Sequence, residues 1–204
     1  MYVLVQLEDT IRIPPHMFAI SQKEAITDEL NRKLANRVII NTGLCICLSD
    51  ITKIGKSFLY QSDGATHTLV NFRFVVFRPF IGEVIVGKIR SSSMDGVLVS
   101  LGFFADIIIP PHYLQDNSKF DETEQLWFWE YEDNKLFMDI GEKIRFKVKE
   151  ELFVDTSPSG PTSTSNISGG DNTNTVTDNK RKIPYLIKGT INESGLGLIS
   201  WWKE

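Results

Sequence analysis

Cysteine and histidine are scarce in this chain of 204 residues, which has two cysteines and three histidines. Two cysteines cannot build the disulfide framework of a small secreted domain, and they are typical of a reducing compartment. Cys45 and Cys47 are spaced like metal ligands, but a structural zinc site takes four ligands and the histidines are scattered singly. The sequence therefore predicts a pair of buried thiols at these two positions, and no metal or cofactor.

Long apolar runs and catalytic motifs are also missing. No apolar stretch approaches the roughly 20 residues of a membrane-spanning helix, and the first residues lack the pattern of a secretion signal. The chain contains no G-x-S-x-G, no phosphate-binding Walker loop and no H-E-x-x-H. With 42% hydrophobic residues and a formal net charge of -4, we expect a soluble globular protein without a membrane partner and without an active site of its own.

Glycines interrupt a β-branched stretch at 82–114 and divide it into short strands at about 83–91, 95–101 and 105–109. Interior glycines mark bends, and a small closed barrel needs strands that bend sharply. The motif G-E-V-x-x-G-K-I followed by D-G-V-L-V-S-L-G resembles the opening of an S1 domain, an OB-fold barrel that often binds RNA. Strands at 141–155 and after 182 are expected to complete this barrel.

The N-terminal third reads as a sheet covered by one helix. Alternating apolar residues predict strands at 2–13, 43–54 and 67–80, with a polar turn between the last two. A helix begins after Ser21, and it is expected to bury one stripe of side chains: Ile26, Leu30, Leu34 and Val38. We therefore predict an α+β, mostly β chain with an N-terminal domain at 1–80 and a barrel domain at 81–204.

Two insertions interrupt the predicted barrel. Residues 115–142 are acidic and contain a hairpin turning at 132–134, whose apolar side chains on both faces need cover. We assign its aromatic residues Trp127, Trp129 and Tyr131 to a partner interface. Residues 156–182 are almost wholly polar and are predicted to form a disordered loop within the barrel.

One strand carries basic residues on a single face. Lys143, Arg145, Lys147 and Lys149 alternate with apolar residues, and Lys88 and Arg90 share a parity on the neighbouring barrel strand. Clustered positive charge on one face is typical of contact with RNA phosphates. A solvated outer face would give the same alternation, so both interpretations stay open.

Several segments together resemble one family, the larger stalk subunits of RNA polymerases, which include the archaeal form and the seventh subunit of polymerase II. The similarity runs through YVLVQLEDTIRIPP, NRKLANRVIINTGLCICLSDITKI, DGATHTLVNFRFVVFRPF and LGFFADIIIPP. The segments FVDTSPSGP and GLGLISWW are similar to the polymerase III version.

The resemblance implies a ribonucleoprotein-like tip domain, an S1/OB barrel and a non-catalytic role in the nucleus. It implies pairing with a smaller helical stalk subunit, docking on the polymerase III core near initiation factors, and support for initiation at genes for transfer RNA and 5S ribosomal RNA. Nascent single-stranded RNA is expected near the barrel. The docking positions that correspond to the family's tip loops are Pro14, Pro15, Phe18, Asp63 and Gly64.

The sequence departs from RNA-binding S1 domains at three positions. Asp95 and Leu98 replace aromatic residues, and Pro110 replaces a histidine. Because bases stack on such aromatic side chains, RNA contact here is expected to depend on charge. Two other hypotheses remain: a free S1-domain protein that binds RNA in translation or RNA decay, and an enzyme with an S1 appendage.

Overall fold

The computed structural model describes residues 1–132, 134–156 and 182–202. These residues form a four-stranded sheet, a closed barrel and a small three-stranded sheet. The predicted mostly β fold, with an N-terminal sheet-and-helix unit followed by an OB-type barrel, is confirmed. Within the described ranges, no helix is long and apolar enough to cross a membrane.

The N-terminal unit contains four strands and one α-helix. Their bounds are β1 (Tyr2–Ile13), α1 (Gln22–Leu34), β2 (Val38–Ile39), β3 (Gly43–Leu59) and β4 (Thr66–Phe77). The strands form an antiparallel sheet in the order β1-β4-β3-β2. α1 packs against one face of this sheet. No helix of the described chain covers the other face, which meets the barrel at its Leu44 and Phe77 end.

α1 begins with the predicted cap, because the Ser21 hydroxyl accepts a hydrogen bond from the backbone N–H of Glu24 at 3.3 Å. Ile26 and Leu30 are fully buried against the sheet, as the apolar stripe predicts. The expectation that Val38 continues this stripe is wrong. Val38 lies beyond the helix in β2, where it is half-buried and paired with β3.

β3 extends further than the predicted 43–54, so Phe58 and Leu59 belong to the strand and not to a polar turn. Its pairing with β4 is interrupted by several irregularities, the first between Cys45 and Cys47. A bulge of this kind sets an extra residue against the partner strand and changes which side chains face the core. Cys45 is buried but Cys47 is exposed, so the predicted pair of buried thiols is wrong for Cys47.

Nine strands of the C-terminal unit lie within the described residues. Their bounds are β5 (Val84–Ser93), β6 (Gly96–Ser100), β7 (Ile107–Ile109), β8 (Ser118–Asp121), β9 (Leu126–Tyr131), β10 (Asn134–Phe137), β11 (Lys143–Phe153), β12 (Tyr185–Thr190) and β13 (Gly197–Leu198). Strands β5, β6, β7, β12 and β11 close into a five-stranded barrel, with β12 parallel to β7 and the other neighbours antiparallel. This arrangement is consistent with an OB-fold.

Gly96 allows the close approach of β6 and β7. Its φ is 133°, and a Cβ atom there would lie 2.2 Å from the carbonyl oxygen of Ile109. No other residue fits that space, since real Cβ atoms are not found so close to a backbone oxygen. The glycine in the D-G-V motif is therefore required by the packing of the barrel.

The acidic insertion folds as a three-stranded antiparallel sheet in the order β10-β9-β8. The predicted hairpin between β9 and β10 is confirmed, and β8 adds a strand that the sequence pattern did not indicate. Trp127 anchors this sheet to the barrel, because its indole nitrogen donates to the carbonyl oxygen of Ser93 at 2.7 Å. Its ring belongs to the barrel's buried cluster.

Residues 157–181 lie outside the described residues, and so does almost all of the predicted disordered loop at 156–182. The strands on either side pair with each other, with Phe153 opposite Tyr185. In the sequence, the polar tract is therefore an insertion between two strands that pair with each other.

The N-terminal unit and the barrel share buried residues. Phe77, at the end of β4, belongs to the same cluster as Phe104 of the barrel, with ring centroids 5.2 Å apart. The next residue, Arg78, pairs with the carboxylate of Glu151 on β11 and donates to the carbonyl oxygen of Asn41 at 2.6 Å. Apolar packing and a partly buried ion pair thus hold the two units together.

Candidate functional site

The basic residues of β11 alternate with core residues as the sequence predicts. Ile144, Phe146 and Val148 are buried, while Lys143 and Lys149 are exposed. The interpretation of this face as an RNA-binding surface stays a prediction, because the fold places the charges without identifying what they bind.

The structure brings the basic residues of the two strands together. Lys143 is paired directly with Lys88 across β11 and β5, and Arg90 is exposed on the same face of β5. An open groove with a volume of about 690 Å³ runs along these strands, and the three basic residues line it with Gly87 and Gly102. The lining contains no aromatic side chain, so the groove offers positive charge and backbone but no stacking platform.

Two of the predicted RNA-binding residues already have partners in this chain. The Lys147 ammonium contacts both carboxylate oxygens of Glu193, at 2.8 and 2.9 Å. Arg145 donates to the carbonyl oxygen of Gly195 at 3.3 Å. Both partners lie between β12 and β13, and no sequence pattern indicated that this segment would meet β11. Three of the six predicted residues thus line the groove, whereas the exposed Lys149 lies outside its lining.

The predicted docking residues lie together at the end of the N-terminal unit that is distal to the barrel. Pro14 and Pro15 end β1, and a Cβ at Gly64 would lie 3.8 Å from the Cγ of Pro15. Phe18 follows and is half exposed. Asp63 binds the Arg12 guanidinium through two hydrogen bonds, at 2.6 and 2.7 Å.

The Arg12–Asp63 pair stabilises the turn between β3 and β4. Hydrogen bonds from Arg12 lower the pKa of the Asp63 carboxyl to about 2, and a further contact from His67 acts in the same direction. The turn is therefore held close to the end of β1 by an ionised carboxylate at neutral pH.

Sequence reasoning missed most of the apolar surface at this distal end. Four exposed apolar residues surround the predicted loops: Ile20, Phe58, Leu59 and Tyr60. The signal is present in the S-F-L-Y segment, but its polar neighbours favour the interpretation as a turn. In the structure β3 continues through Leu59 and presents the side chains of Phe58 and Leu59 to solvent.

A second apolar surface lies at the junction of the two units. Tyr2 and Leu4 are exposed on the face of the sheet that α1 does not cover. The ring centroid of Tyr2 lies 6.1 Å from that of Phe103, which is itself partly exposed, and Phe80 and Ile81 are exposed in the connection to β5. No sequence pattern joined these residues, because they come from three separate segments.

The three aromatic residues assigned to a partner interface have different surroundings. Trp127 is only 8% exposed and packs into the chain's own core, so the structure leaves it little surface for a partner. Trp129 is half-buried and Tyr131 is exposed, and both line a cleft with Trp201 and Trp202. The part of the chain that the structure describes contains no group of three potential metal ligands.

Comparison with known proteins identifies both units. The profile of RNA polymerase III subunit Rpc25 matches residues 83–202, and the profile of the SHS2 domain found in the N terminus of Rpb7p and Rpc25p matches residues 8–64.

Full-length relatives agree with these profiles. DNA-directed RNA polymerase III subunit RPC8 of Bos taurus is 52% identical, over 99% of this chain and 98% of its own length. The protein of the same name from Saccharomyces cerevisiae is 38% identical over the whole of both chains. Archaeal RNA polymerase subunit Rpo7 of Saccharolobus shibatae is 26% identical over 72% of this chain and 81% of its own. The chain therefore belongs to the Rpc25 family of RNA polymerase III subunits.

Proposed function

We propose that this chain is a non-catalytic stalk subunit of RNA polymerase III in the nucleus. It pairs with a smaller helical subunit, docks on the polymerase core, and supports initiation at genes for small non-coding RNAs such as transfer RNA and 5S ribosomal RNA. The observation that carries the proposal is the full-length similarity to subunits named RPC8. Two separate apolar surfaces on one chain support it, since such surfaces mark protein interfaces.

Pairing with the smaller subunit is assigned to the surface at the junction of the two units. The sheet has an uncovered face there, with Tyr2 and Leu4 exposed beside Phe103 of the barrel. A helix packed on this surface would bury apolar area from both units at once. The partner would then stabilise the junction in addition to the Arg78–Glu151 contact.

Docking on the polymerase core is assigned to the distal end of the N-terminal unit. Phe18, Phe58 and Leu59 are each at least half exposed there, next to a turn that the Arg12–Asp63 pair stabilises. Exposed aromatic and aliphatic side chains on a well-held turn suit a permanent protein interface better than a transient one.

The experiment is a pull-down of the tagged full-length chain from its own cells, followed by mass spectrometry. We expect a small helical protein and polymerase III subunits. Leu59→Glu should lose the core subunits and keep the small partner, whereas Lys23→Glu, an exposed position on α1, should keep both. Recovery of ribosomal or RNA-decay proteins without polymerase would instead support the free S1 protein and overturn the proposal.

RNA contact is assigned to the groove lined by Lys88, Arg90 and Lys143. Each phosphate contact to single-stranded RNA adds about 0.7 to the dependence of log affinity on log salt, so removing two should reduce the slope by about 1.4. The test is a salt titration of oligouridine binding by the full chain carrying Lys88→Glu and Lys143→Glu. The control carries Lys23→Glu and Lys56→Glu, which change the net charge by the same amount at positions outside the groove. If both double variants retain the wild-type dependence of log affinity on log salt, the groove is a solvated face and makes no contact with RNA.

A further inference from the structure

The aromatic cleft at the edge of the acidic sheet has no role in the functions proposed above. Its volume is about 500 Å³, and four aromatic side chains line it: Trp129, Tyr131, Trp201 and Trp202. Leu136, Gln115 and Ser194 complete the lining. These residues come from three separated parts of the sequence, so the cleft exists only in the folded chain.

The cleft is held in shape by contacts within the chain. The ring of Trp129 lies 5.3 Å from that of Trp201 and 4.9 Å from that of Tyr131, measured between centroids. The indole nitrogen of Trp202 donates to the carbonyl oxygen of Leu196 at 2.9 Å. A ligand would therefore meet aromatic faces that are already ordered, which lowers the entropic cost of binding.

Gly197 fixes the position of Trp201. A Cβ atom at Gly197 would lie 2.5 Å from the Trp201 ring, so the indole packs directly on the glycine backbone. Its φ of 102° is a conformation that side-chain-bearing residues rarely adopt.

The segment that supplies Trp129, Tyr131 and Leu136 to the cleft is strongly acidic. Residues 115–142 contain nine acidic and two basic residues, a formal charge of -7, so the other 176 residues together carry +3. Both lysines are already engaged: Lys119 contacts Glu130 at 2.5 Å, and Lys135 lies 4.9 Å from the ring centroid of Phe128. Among the described residues, no ion pair neutralises Glu132, the neighbour of Tyr131 in the sequence. The residues that line the cleft are uncharged, so this negative charge lies on the surrounding segment, where it disfavours phosphate and favours cations.

The aromatic side chains of the cleft also favour cations, because the negative face of a ring attracts a guanidinium or ammonium group. Lys135 over Phe128 is an example within this very sheet. Aromatic stacking by itself would also suit an RNA base, but the charge of -7 opposes the phosphates that accompany every base.

We propose that this cleft binds a basic segment of another protein, with an arginine or lysine side chain seated between Tyr131 and Trp202. The acidic residues of the small sheet attract the segment, and the four aromatic side chains hold it. The site is thus opposite in charge to the basic groove, and one chain would contact RNA and a basic peptide through separate surfaces of its C-terminal unit.

The test uses the full chain and three fluorescent probes: the peptide GRLGRLGRL, its acidic counterpart GELGELGEL, and a nine-residue oligouridine. In 0.1 M salt we expect the basic peptide to bind at least ten-fold tighter than the acidic one. Tyr131→Ala and Trp202→Ala, both at exposed positions, should each weaken the basic peptide about ten-fold. Tyr60→Ala removes an equally exposed aromatic residue of the N-terminal unit and should leave the affinity unchanged.

Nuclear magnetic resonance of the indole N–H groups supplies an internal control. The basic peptide should shift the signals of Trp129, Trp201 and Trp202, whereas Trp127, whose N–H is bonded to Ser93 inside the chain, should not move. Three results would each overturn the proposal. The first is equal affinity for the basic and the acidic peptide, and the second is unchanged affinity for the basic peptide in both cleft variants. The third is that oligouridine shifts the indole signals and the basic peptide does not. Loss of polymerase subunits in the pull-down would not affect it, because the cleft is assayed on the isolated full chain.

Discussion

Arg78→Ala should loosen the junction between the N-terminal unit and the barrel. The guanidinium makes a two-pronged contact with Glu151, donates to the carbonyl oxygen of Asn41 at 2.6 Å, and lies 5.8 Å from the ring centroid of Phe153. Hydrogen bonds to Glu151 raise the pKa of the Arg78 side chain, so the guanidinium stays positively charged. The substitution removes all three contacts, which join three separate segments.

The magnitude follows from the partial exposure of the pair, with side chains 38% and 19% exposed for Arg78 and Glu151. Solvent screening limits the ion pair to about 1 kcal/mol, and the hydrogen bond to the backbone carbonyl adds about 1 kcal/mol. The expected loss of about 2 kcal/mol corresponds to a fall in Tm of about 4–8 °C for a chain of this length.

The assay is thermal unfolding by calorimetry of the wild type, Arg78→Ala, Glu151→Gln and the double variant. These four proteins form a double-mutant cycle, which should give a coupling energy of about 1 kcal/mol between Arg78 and Glu151. The coupling energy should be smaller in 0.5 M salt, because salt screens the partly exposed ion pair. Arg73→Ala is the matched control, since Arg73 makes a similar two-pronged contact with Asp50 on the exposed face of the sheet. A Tm for Arg78→Ala no lower than that of the control would refute the reasoning.

Two further predictions concern single positions. Gly96→Ala should cost about 2–6 kcal/mol of unfolding free energy, because it combines backbone strain with a clash against Ile109. Gly102→Ala, where φ is 92° but no atom lies within 4 Å, should cost only about 1–3 kcal/mol in the same urea titration, and equal losses would contradict the clash. For Asp63, a carbon-13 titration should find a carboxyl midpoint near pH 2, and Arg12→Ala should move it toward the ordinary 3.8. Because folding lowers the pKa of Asp63, the stabilisation by the Arg12–Asp63 pair is present above about pH 4 and is lost as the pH falls toward 2. A wild-type midpoint near pH 4 would show that the pair does not form in solution.

The sequence by itself determined which elements form and which of their faces are buried. The alternation along 143–149 predicted the buried face of β11, and the Ser21 cap predicted the start of α1. These are local properties, because strand parity and helix capping depend on residues a few positions apart. The family resemblance was also readable, since it depends on the order of residues and not on their contacts.

Only the tertiary structure decided which of those faces remain free. Bulges in β3 placed Cys45 inside and Cys47 outside, although the two residues share a parity in the sequence. Glu193 reaches Lys147 from the other side of the polar tract, and Trp201 meets Trp129 across more than seventy residues. Periodicity tells which side of a strand a residue occupies, but it does not tell what lies opposite that side. For this chain, contacts between distant segments determine the groove, the cleft and the apolar surfaces.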